Sequence, residues 1–192
     1  SKRGENVHLS VVLNPGKIGL HQQFLLISVV ALAVKTVFEH YARSDIRIKW
    51  PNDIYFGNRK ACGILIENII SGREWKWAVA GIGMNINQVH FPEVTDRQPV
   101  SLRQITGKSF DCLEIACKVR DEVLQVYNHT DPDQLVTEYN RFLYKKDESV
   151  VFERDGATFE GVVKEVSYDG KLHVYTETMP LSFDFGEVQW LR

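Results

Sequence analysis

The sequence has few cysteines, and their spacing does not suit a disulfide framework or a metal site. Three cysteines, Cys62, Cys112 and Cys117, occur in 192 residues, with no CxxC pair and no histidine at metal-ligand spacing. An odd number of scattered thiols argues against a secreted disulfide scaffold and against a zinc site. The pattern is typical of a reducing compartment and predicts a cytoplasmic location.

An excess of charge of one sign is also lacking, since the formal net charge is −2. A chain so close to neutrality has no overall attraction for nucleic acid or for an anionic membrane. The longest apolar run, from Phe24 to Val34, is too short to cross a bilayer and predicts a buried helix. No signal peptide is visible, and a start without Met directly before a strand pattern predicts a cut chain.

The patterns that are present predict strands and helices in one globular chain with a core. Hydrophobic residues make up 44% of the sequence and charged residues 25%, which is ordinary for such a protein. Alternating apolar residues or turn signals predict strands at 7–13, 46–50 and 75–86 and a hairpin at 54–67 around Gly57-Asn58. Helices are predicted at 20–41, after Asp111 with Glu114 as a capping box, and after Asp131-Pro132.

The sequence pattern changes near residue 146, from predicted helices to short alternating strands. Residues 87–100 are polar with two prolines and predict a loop, whereas 149–192 alternate short strands with tight turns. We therefore expect two domains, 1–146 and 147–192. The predicted fold class is α+β, a mixed, largely antiparallel sheet with packed helices, followed by a small β-barrel.

The predicted hairpin brings two charged residues together. With Gly57-Asn58 as its loop, Asp53 faces Cys62 and Tyr55 faces Lys60, so these four side chains share one face. Asp53 and Lys60 are then diagonal neighbours with Cβ atoms about 7 Å apart. A carboxylate and an ammonium held in this way suit chemistry on a phosphate or carboxylate. The alternative is a weak cross-strand ion pair on a solvated hairpin.

Glycines inside the predicted strands are a second signal. Gly63, Gly81 and Gly83 weaken strand packing unless a backbone or a ligand approaches closely. The Gly81-Ile82-Gly83 pair lacks the third glycine and the following helix of a dinucleotide-binding motif. Asn85 is a candidate to hydrogen-bond a nucleotide or phosphate, with a turn-capping amide as the alternative.

These segments in this order resemble the catalytic domain of biotin–protein ligases. The resemblance is carried by GENVHLS at 4–10, KWPND at 49–53, RKACGILIE at 59–67 and GIGMNIN at 81–87. PVSL at 99–102 and Gly186-Glu187-Val188 also fit, so it covers essentially the whole chain. It implies a class II synthetase-like biotin ligase fold with a C-terminal SH3-like barrel.

The resemblance also implies a two-step reaction with biotin and ATP as substrates and Mg²⁺ accompanying ATP. Biotin is activated as biotinyl-5′-AMP and passed to a lysine of a biotin carboxyl carrier protein, and a homodimer is a further expectation. Catalysis is assigned to Lys60 and Asp53, with Asp53 orienting the metal or the incoming amine. Biotin or its adenylate is assigned to Lys60, Gly63, Ile64, Gly81 and Gly83, and the nucleotide to Lys49, Asn52 and Asn85.

The sequence departs from the family at its N-terminal end and near Val100. The glycine- and arginine-rich GRGxxG loop and the preceding Ser/Thr-Asn segment, which lie upstream of Gly4 in the family, are not in this sequence. No helix-turn-helix is visible, and some relatives have an aromatic residue near Val100 that stacks on adenine. Two alternatives stay open: a catalytically silent module that senses biotin or docks carriers, and a lipoate or octanoate transferase.

Overall fold

The computed structural model describes residues 3–16, 18–19, 22–72, 74–92, 98–129 and 131–191. Ten strands and four helices occur in these ranges. The strands are β1 (Asn6–Leu13), β2 (Ile46–Lys49), β3 (Asp53–Phe56), β4 (Arg59–Ser71), β5 (Glu74–Asn85), β6 (Ser149–Arg154), β7 (Ala157–Val166), β8 (Leu172–Tyr175), β9 (Pro180–Phe183) and β10 (Gln189–Trp190). The helices are α1 (Gln23–Ala42), α2 (Leu102–Thr106), α3 (Cys112–His129) and α4 (Pro132–Arg141).

The strands form two five-stranded sheets, which confirms the α+β class. The first sheet has the order β1-β5-β4-β3-β2 and the second has the order β10-β6-β7-β8-β9. The pairings between neighbouring strands in these orders are antiparallel. The parallel component of the expected mixed sheet is limited to isolated bridges, Ile48 with Leu143 and Lys60 with Pro99.

Helix α1 is the central core element. It packs between the first sheet and helices α3 and α4. By length and composition it could cross a membrane, yet 72% of its most apolar window is buried inside the fold. Its apolar surface is thus covered by protein. The first two residues of the predicted helix, 20 and 21, lie outside the described residues.

Two helix starts show where local signals succeed and fail. Asp131 caps α4 as predicted, with its side chain accepting a hydrogen bond from the backbone N–H of Asp133 at 2.9 Å. Asp111 also caps α3, but Glu114 pairs with Lys118 at 2.8 Å instead of closing a capping box.

The second sheet packs against the helices and the loop after β2. The Asn140 side chain of α4 donates to the Val166 carbonyl at 2.8 Å and accepts from the Val166 N–H at 2.7 Å. The Trp50 indole N–H donates to the Gly170 carbonyl at 2.9 Å. These bonds place the turn between β7 and β8 beside the helices and the first sheet. The predicted domain boundary at 146/147 stays a prediction.

Candidate active site

One row of residues crosses the whole first sheet. Strand register places these five residues side by side: His8, Gly83, Gly63, Asp53 and Lys49. Directly paired residues in neighbouring strands project from the same face of a sheet. The two glycines in the middle leave a floor without side chains, bordered by His8 on one side and by charged residues on the other.

Lys60 and Asp53 form an ion pair above this floor. The Lys60 Nζ lies 2.5 Å from the Asp53 Oδ1, and the two side chains keep 27% and 16% of their surface exposed. The Nζ is also 3.1 Å from the point where a Cβ on Gly63 would lie. The hairpin therefore brings Asp53 and Lys60 together, as predicted.

The predicted hairpin register is correct near the loop and wrong farther from it. Phe56 faces Arg59 and Tyr55 faces Lys60, but a shift then pairs Ile54 with Cys62 and Asp53 with Gly63. The extra residue in β4 is a β-bulge, which changes the face to which later side chains point.

The bulge moves Cys62 away from the face that it was predicted to share with Lys60. Cys62 belongs to the hydrophobic core and is 1% exposed. Burial, with a smaller contribution from the Asp53 carboxylate, raises the pKa of the Cys62 thiol far above its ordinary value. The thiol stays protonated at neutral pH, and Cys62 does not line the cleft described below.

The predicted nucleotide residues Asn52 and Asn85 both brace backbone. The Asn52 amide donates to the Ile64 carbonyl at 2.6 Å, and the Ile64 N–H donates back to the Asn52 carbonyl at 3.0 Å. The Asn85 amide donates to the Lys60 carbonyl at 3.4 Å. Asn52 lines the cleft described below, whereas Asn85 lies two residues beyond Gly83 on β5 and does not line it.

A cleft of about 810 Å³ lies above the glycine floor. The first sheet and the residues just before β3 contribute His8, Leu9, Ser10, Lys49, Trp50, Pro51, Asn52, Asp53, Lys60, Gly63, Ile64, Leu65, Gly81, Ile82 and Gly83. The second sheet contributes Phe185, Gly186, Val188, Gln189 and Trp190. Eight of the nine predicted site residues line this one cleft, with Asn85 as the exception.

Gly81 and Gly83 have free space above them. A Cβ on Gly83 would have its nearest neighbours at 3.9 Å, and a Cβ on Gly81 would meet the Leu65 carbonyl oxygen at 3.7 Å. These are ordinary van der Waals distances, so the fold itself does not require glycine at either position. The open space belongs to the cleft and is available to a ligand.

Sequence reasoning missed the residues of the second sheet and His8. Phe185 and Trp190 reach the cleft only through long-range packing, and no local pattern marks them. His8 and Ser10 had a weak signal, because they occupy the polar positions of the β1 alternation.

The charges of the cleft favour an anionic ligand. Asp53 is the one acidic residue among the described side chains that line it, against Lys49 and Lys60. In the described part of the chain, no group of three or more His, Cys, Asp or Glu side chains is placed to hold a metal ion. The cleft can thus bind a ligand that joins a small apolar part to a carboxylate or phosphate.

The α+β architecture with this cleft defines a class of small-ligand-binding domains, and comparison with known proteins shows what the chain is similar to. Residues 2–85 match the sequence model of the biotin/lipoate A/B protein ligase family. The bifunctional ligase/repressor BirA of Bacillus subtilis is 34% identical over 113 residues, which are 58% of this chain and 34% of that protein. The match thus spans about a third of the length of this curated relative.

Solved structures of biotin protein ligases are similar to this chain over nearly its whole length. A biotin protein ligase from Aquifex aeolicus has a TM-score of 0.81 and 25% identity, over 98% of this chain and 82% of that one. The Aquifex ligase in complex with biotin and ATP has a TM-score of 0.79 and 26% identity, over 98% and 79%. Residues 2–85 thus resemble a domain of the biotin/lipoate A/B protein ligase family, and nearly the whole chain is similar in structure to biotin protein ligases.

Proposed function

We propose that the protein is an ATP-dependent biotin–protein ligase that attaches biotin to a lysine of a biotin carboxyl carrier protein. The observation that carries the proposal is the Lys60–Asp53 ion pair above Gly63, at 2.5 Å. It places one cation and one carboxylate beside a floor that is open to a ligand. The Aquifex relative, which is structurally similar over 98% of this chain, has been solved with biotin and ATP bound.

In the first step, a carboxylate oxygen of biotin attacks the α-phosphorus of ATP. The bond from that phosphorus to the bridging oxygen breaks, and pyrophosphate leaves with its electron pair. Lys60 neutralises the charge shared by the carboxylate and the α-phosphate, which would otherwise repel each other. Gly63, Gly81 and Gly83 allow biotin to lie against the sheet, and Ile64 offers backbone contacts.

In the second step, the carrier lysine amine attacks the acyl carbon of biotinyl-5′-AMP. A C–N bond forms, the C–O bond to AMP breaks, and the amine proton passes to solvent. Asp53 orients the amine, because a carboxylate attracts a lysine nitrogen that approaches the rim of the cleft. Lys60 remains beside the AMP phosphate and stabilises it as a leaving group.

The nucleotide is assigned to Lys49, Asn52 and Asn85. Asn52 and Asn85 already donate one hydrogen bond each to backbone carbonyls. Asn52 lines the cleft and keeps a side-chain carbonyl oxygen and a second N–H for a ligand. Asn85 does not line the cleft, so its assignment rests on the family resemblance. We assign a loop that orders over the adenylate to 87–100, of which 93–97 lie outside the described residues.

Mg²⁺ fits the cleft as a partner of ATP. Magnesium usually keeps several waters and binds through one or two carboxylates together with substrate phosphates. The single carboxylate of Asp53 agrees with that mode and not with an all-protein cage. When bound, the ion would supply positive charge to the phosphates. The homodimer and the cytoplasmic location remain predictions.

The test is carrier labelling, followed by mass spectrometry of a biotin carboxyl carrier domain with biotin and MgATP. The full-length natural protein is compared with its Lys60→Ala variant, in which we expect labelling to fall at least about 100-fold, the loss typical of one electrostatic contact to a transition state. Lys164→Ala is the matched control, since Lys164 pairs with Asp147 at 2.9 Å on the second sheet and does not line the cleft.

Three outcomes would contradict this proposal in different ways. A folded wild-type protein that binds biotin but never labels the carrier or exchanges pyrophosphate into ATP is a silent sensing or docking module. Transfer of lipoate or octanoate in place of biotin would show that the protein is a lipoate or octanoate transferase. Full activity in Lys60→Ala would remove Lys60 from the mechanism.

A further inference from the structure

Lys49 lies beside two aromatic rings that come from different sheets. Its Nζ is 5.1 Å from the centre of the Tyr55 ring on β3 and 5.4 Å from the centre of the Trp190 ring on β10. Both distances lie within the range in which an ammonium is attracted to the face of an aromatic ring. Lys49 and Trp190 also line the cleft.

The two rings are held in place by further aromatic packing. Tyr55 is buried, and its ring lies 5.1 Å from that of Tyr144, which in turn lies 6.0 Å from the Trp190 ring. Phe152 supports Trp190 from the second sheet at 5.2 Å. Strand β10 is anchored by pairing with β6 and by a 2.8 Å bond from the Leu191 N–H to the Val151 carbonyl. Trp190 is therefore fixed by the second sheet.

The order of residues across the sheet gives the ligand a direction. Lys60 stands above Gly63 and Asp53, with Gly83 on one side of the row and Lys49 on the other. Neighbouring strands are about 4.8 Å apart, so Lys49 lies about two strand spacings from Gly63. A ligand with its apolar part on the glycines and its reacting phosphate at Lys60 points its remaining phosphates toward Lys49.

We propose that Trp190 is a positioning residue that holds the Lys49 ammonium at the end of the cleft occupied by the β- and γ-phosphates of ATP. This inference rests on the proposed function, because it requires ATP in the cleft. It gives the second sheet a defined part in nucleotide binding: Trp190 acts on the nucleotide through Lys49. Biotin, on the glycine side of Lys60, does not meet this contact.

Isothermal titration calorimetry of the full-length natural protein tests the proposal, with MgATP and biotin titrated separately. We expect Trp190→Ala to weaken MgATP binding about five- to tenfold, as the loss of one cation–π contact implies. Biotin affinity should stay within about twofold of wild type, because the glycine floor is unchanged. Trp190→Phe keeps a ring beside Lys49 and should retain most of the MgATP affinity.

A double-mutant cycle separates positioning from simple support of the fold. In a Lys49→Met background, Trp190→Ala should cause little further loss of MgATP affinity, since the residue it positions is gone. Tyr175→Ala, an exposed aromatic truncation on the same sheet, is the control and should bind both ligands as wild type does. Thermal unfolding of each variant checks that the second sheet stays folded.

Two results would overturn the role of Trp190: equal weakening of MgATP and biotin, or an undiminished effect of Trp190→Ala in the Lys49→Met background. Failure of the proposed function looks different. A wild-type protein that binds MgATP but not biotin would contradict the ligase proposal. The double-mutant cycle of Trp190 and Lys49 would still test the role of Trp190 in that case. A wild-type protein that binds no MgATP would sink both.

Discussion

Glycine matters at Gly83 and Gly170 for opposite reasons. Gly83 sits in a strand with free space above it, so its missing side chain leaves room for a ligand. Gly170 has a φ of +89°, and a Cβ there would lie 2.8 Å from the Cβ of Phe24. The first glycine serves the cleft, and the second allows the second sheet to pack against α1.

We expect Gly83→Ala to abolish or strongly weaken biotin binding while the protein stays folded. The added methyl group enters the cleft, and an alanine inside a strand even favours folding by about 0.5–1 kcal/mol relative to glycine. Gly170→Ala should instead destabilise the fold: we expect it to lower the free energy of unfolding by at least about 1–2 kcal/mol, because alanine is strained at this positive φ. Calorimetric biotin titration and urea unfolding of both variants check this. Wild-type biotin affinity in a folded Gly83→Ala protein would contradict the ligand floor.

At the scale of the element, the bulge in β4 determines what faces the cleft. Simple alternation puts Lys60 and Cys62 on one face, but the extra residue at Ala61 sends Cys62 into the core and Gly63 to the cleft. Lys60 can therefore lie directly above a residue without a side chain. Alternation cannot reveal such a bulge, because the sequence pattern of β4 reads equally well in either register.

The burial of Cys62 predicts a pH-dependent stability. Because its pKa is raised above the ordinary 9.0 in the folded state only, the stabilising effect of its neutral form is fully present below pH 9. Above pH 9 the unfolded chain loses the thiol proton and the folded chain keeps it, so stability falls by up to about 1.4 kcal/mol per pH unit. Urea unfolding from pH 8 to 9.8 measures the slope.

The matched control for this slope is Cys62→Ala, in which most of it should disappear at the cost of some stability from the lost sulfur. In the native wild-type protein, Cys62 should also resist iodoacetamide at pH 8 and react once the protein is unfolded. Rapid native labelling at Cys62, or an unchanged slope in Cys62→Ala, would show that the thiol is not buried as described.

At the scale of the whole molecule, the cleft exists because the second sheet closes it. Asn140 joins α4 to Val166 through two hydrogen bonds, and Trp50 joins the segment before β3 to Gly170. The Phe185 ring lies 6.3 Å from the Trp50 ring, and both Phe185 and Trp190 line the cleft from this side. The proposed nucleotide end of the site therefore depends on how firmly the second sheet is attached.

We expect Asn140→Ala to lower the free energy of unfolding by about 1–3 kcal/mol, because it leaves the Val166 N–H and carbonyl without their partner. The Val166 amide should exchange its hydrogen faster than in wild type. The substitution should also weaken the binding of MgATP more than the binding of biotin. Urea unfolding and hydrogen exchange measure the first two effects, and calorimetric titration of MgATP and biotin measures the third. Asn128→Ala, at an exposed position of α3, is the control. Unchanged exchange at Val166 in Asn140→Ala would show that these bonds do not hold the sheet.

Local signals in the sequence predict most of the helices and strands and most of the site residues. The Gly57-Asn58 loop, the alternation in β1 and the Asp131 cap are local signals, so they predicted the hairpin, the first strand and α4. The KWPND and RKACGILIE segments brought Lys49, Asp53, Lys60 and Gly63 together because the hairpin makes them neighbours within a few residues.

The register of β4 beyond the bulge and the second wall of the cleft depend on tertiary packing. The bulge at Ala61 is fixed by which side chains fit the core under α1, and packing energy is shared among residues distant in sequence. The wall of the cleft depends on contacts such as Trp50 with Gly170, which are 120 residues apart. Local periodicity reports which face of an element is buried, but not which distant element covers it. For that physical reason Trp190 and its position beside Lys49 emerge only from the folded molecule.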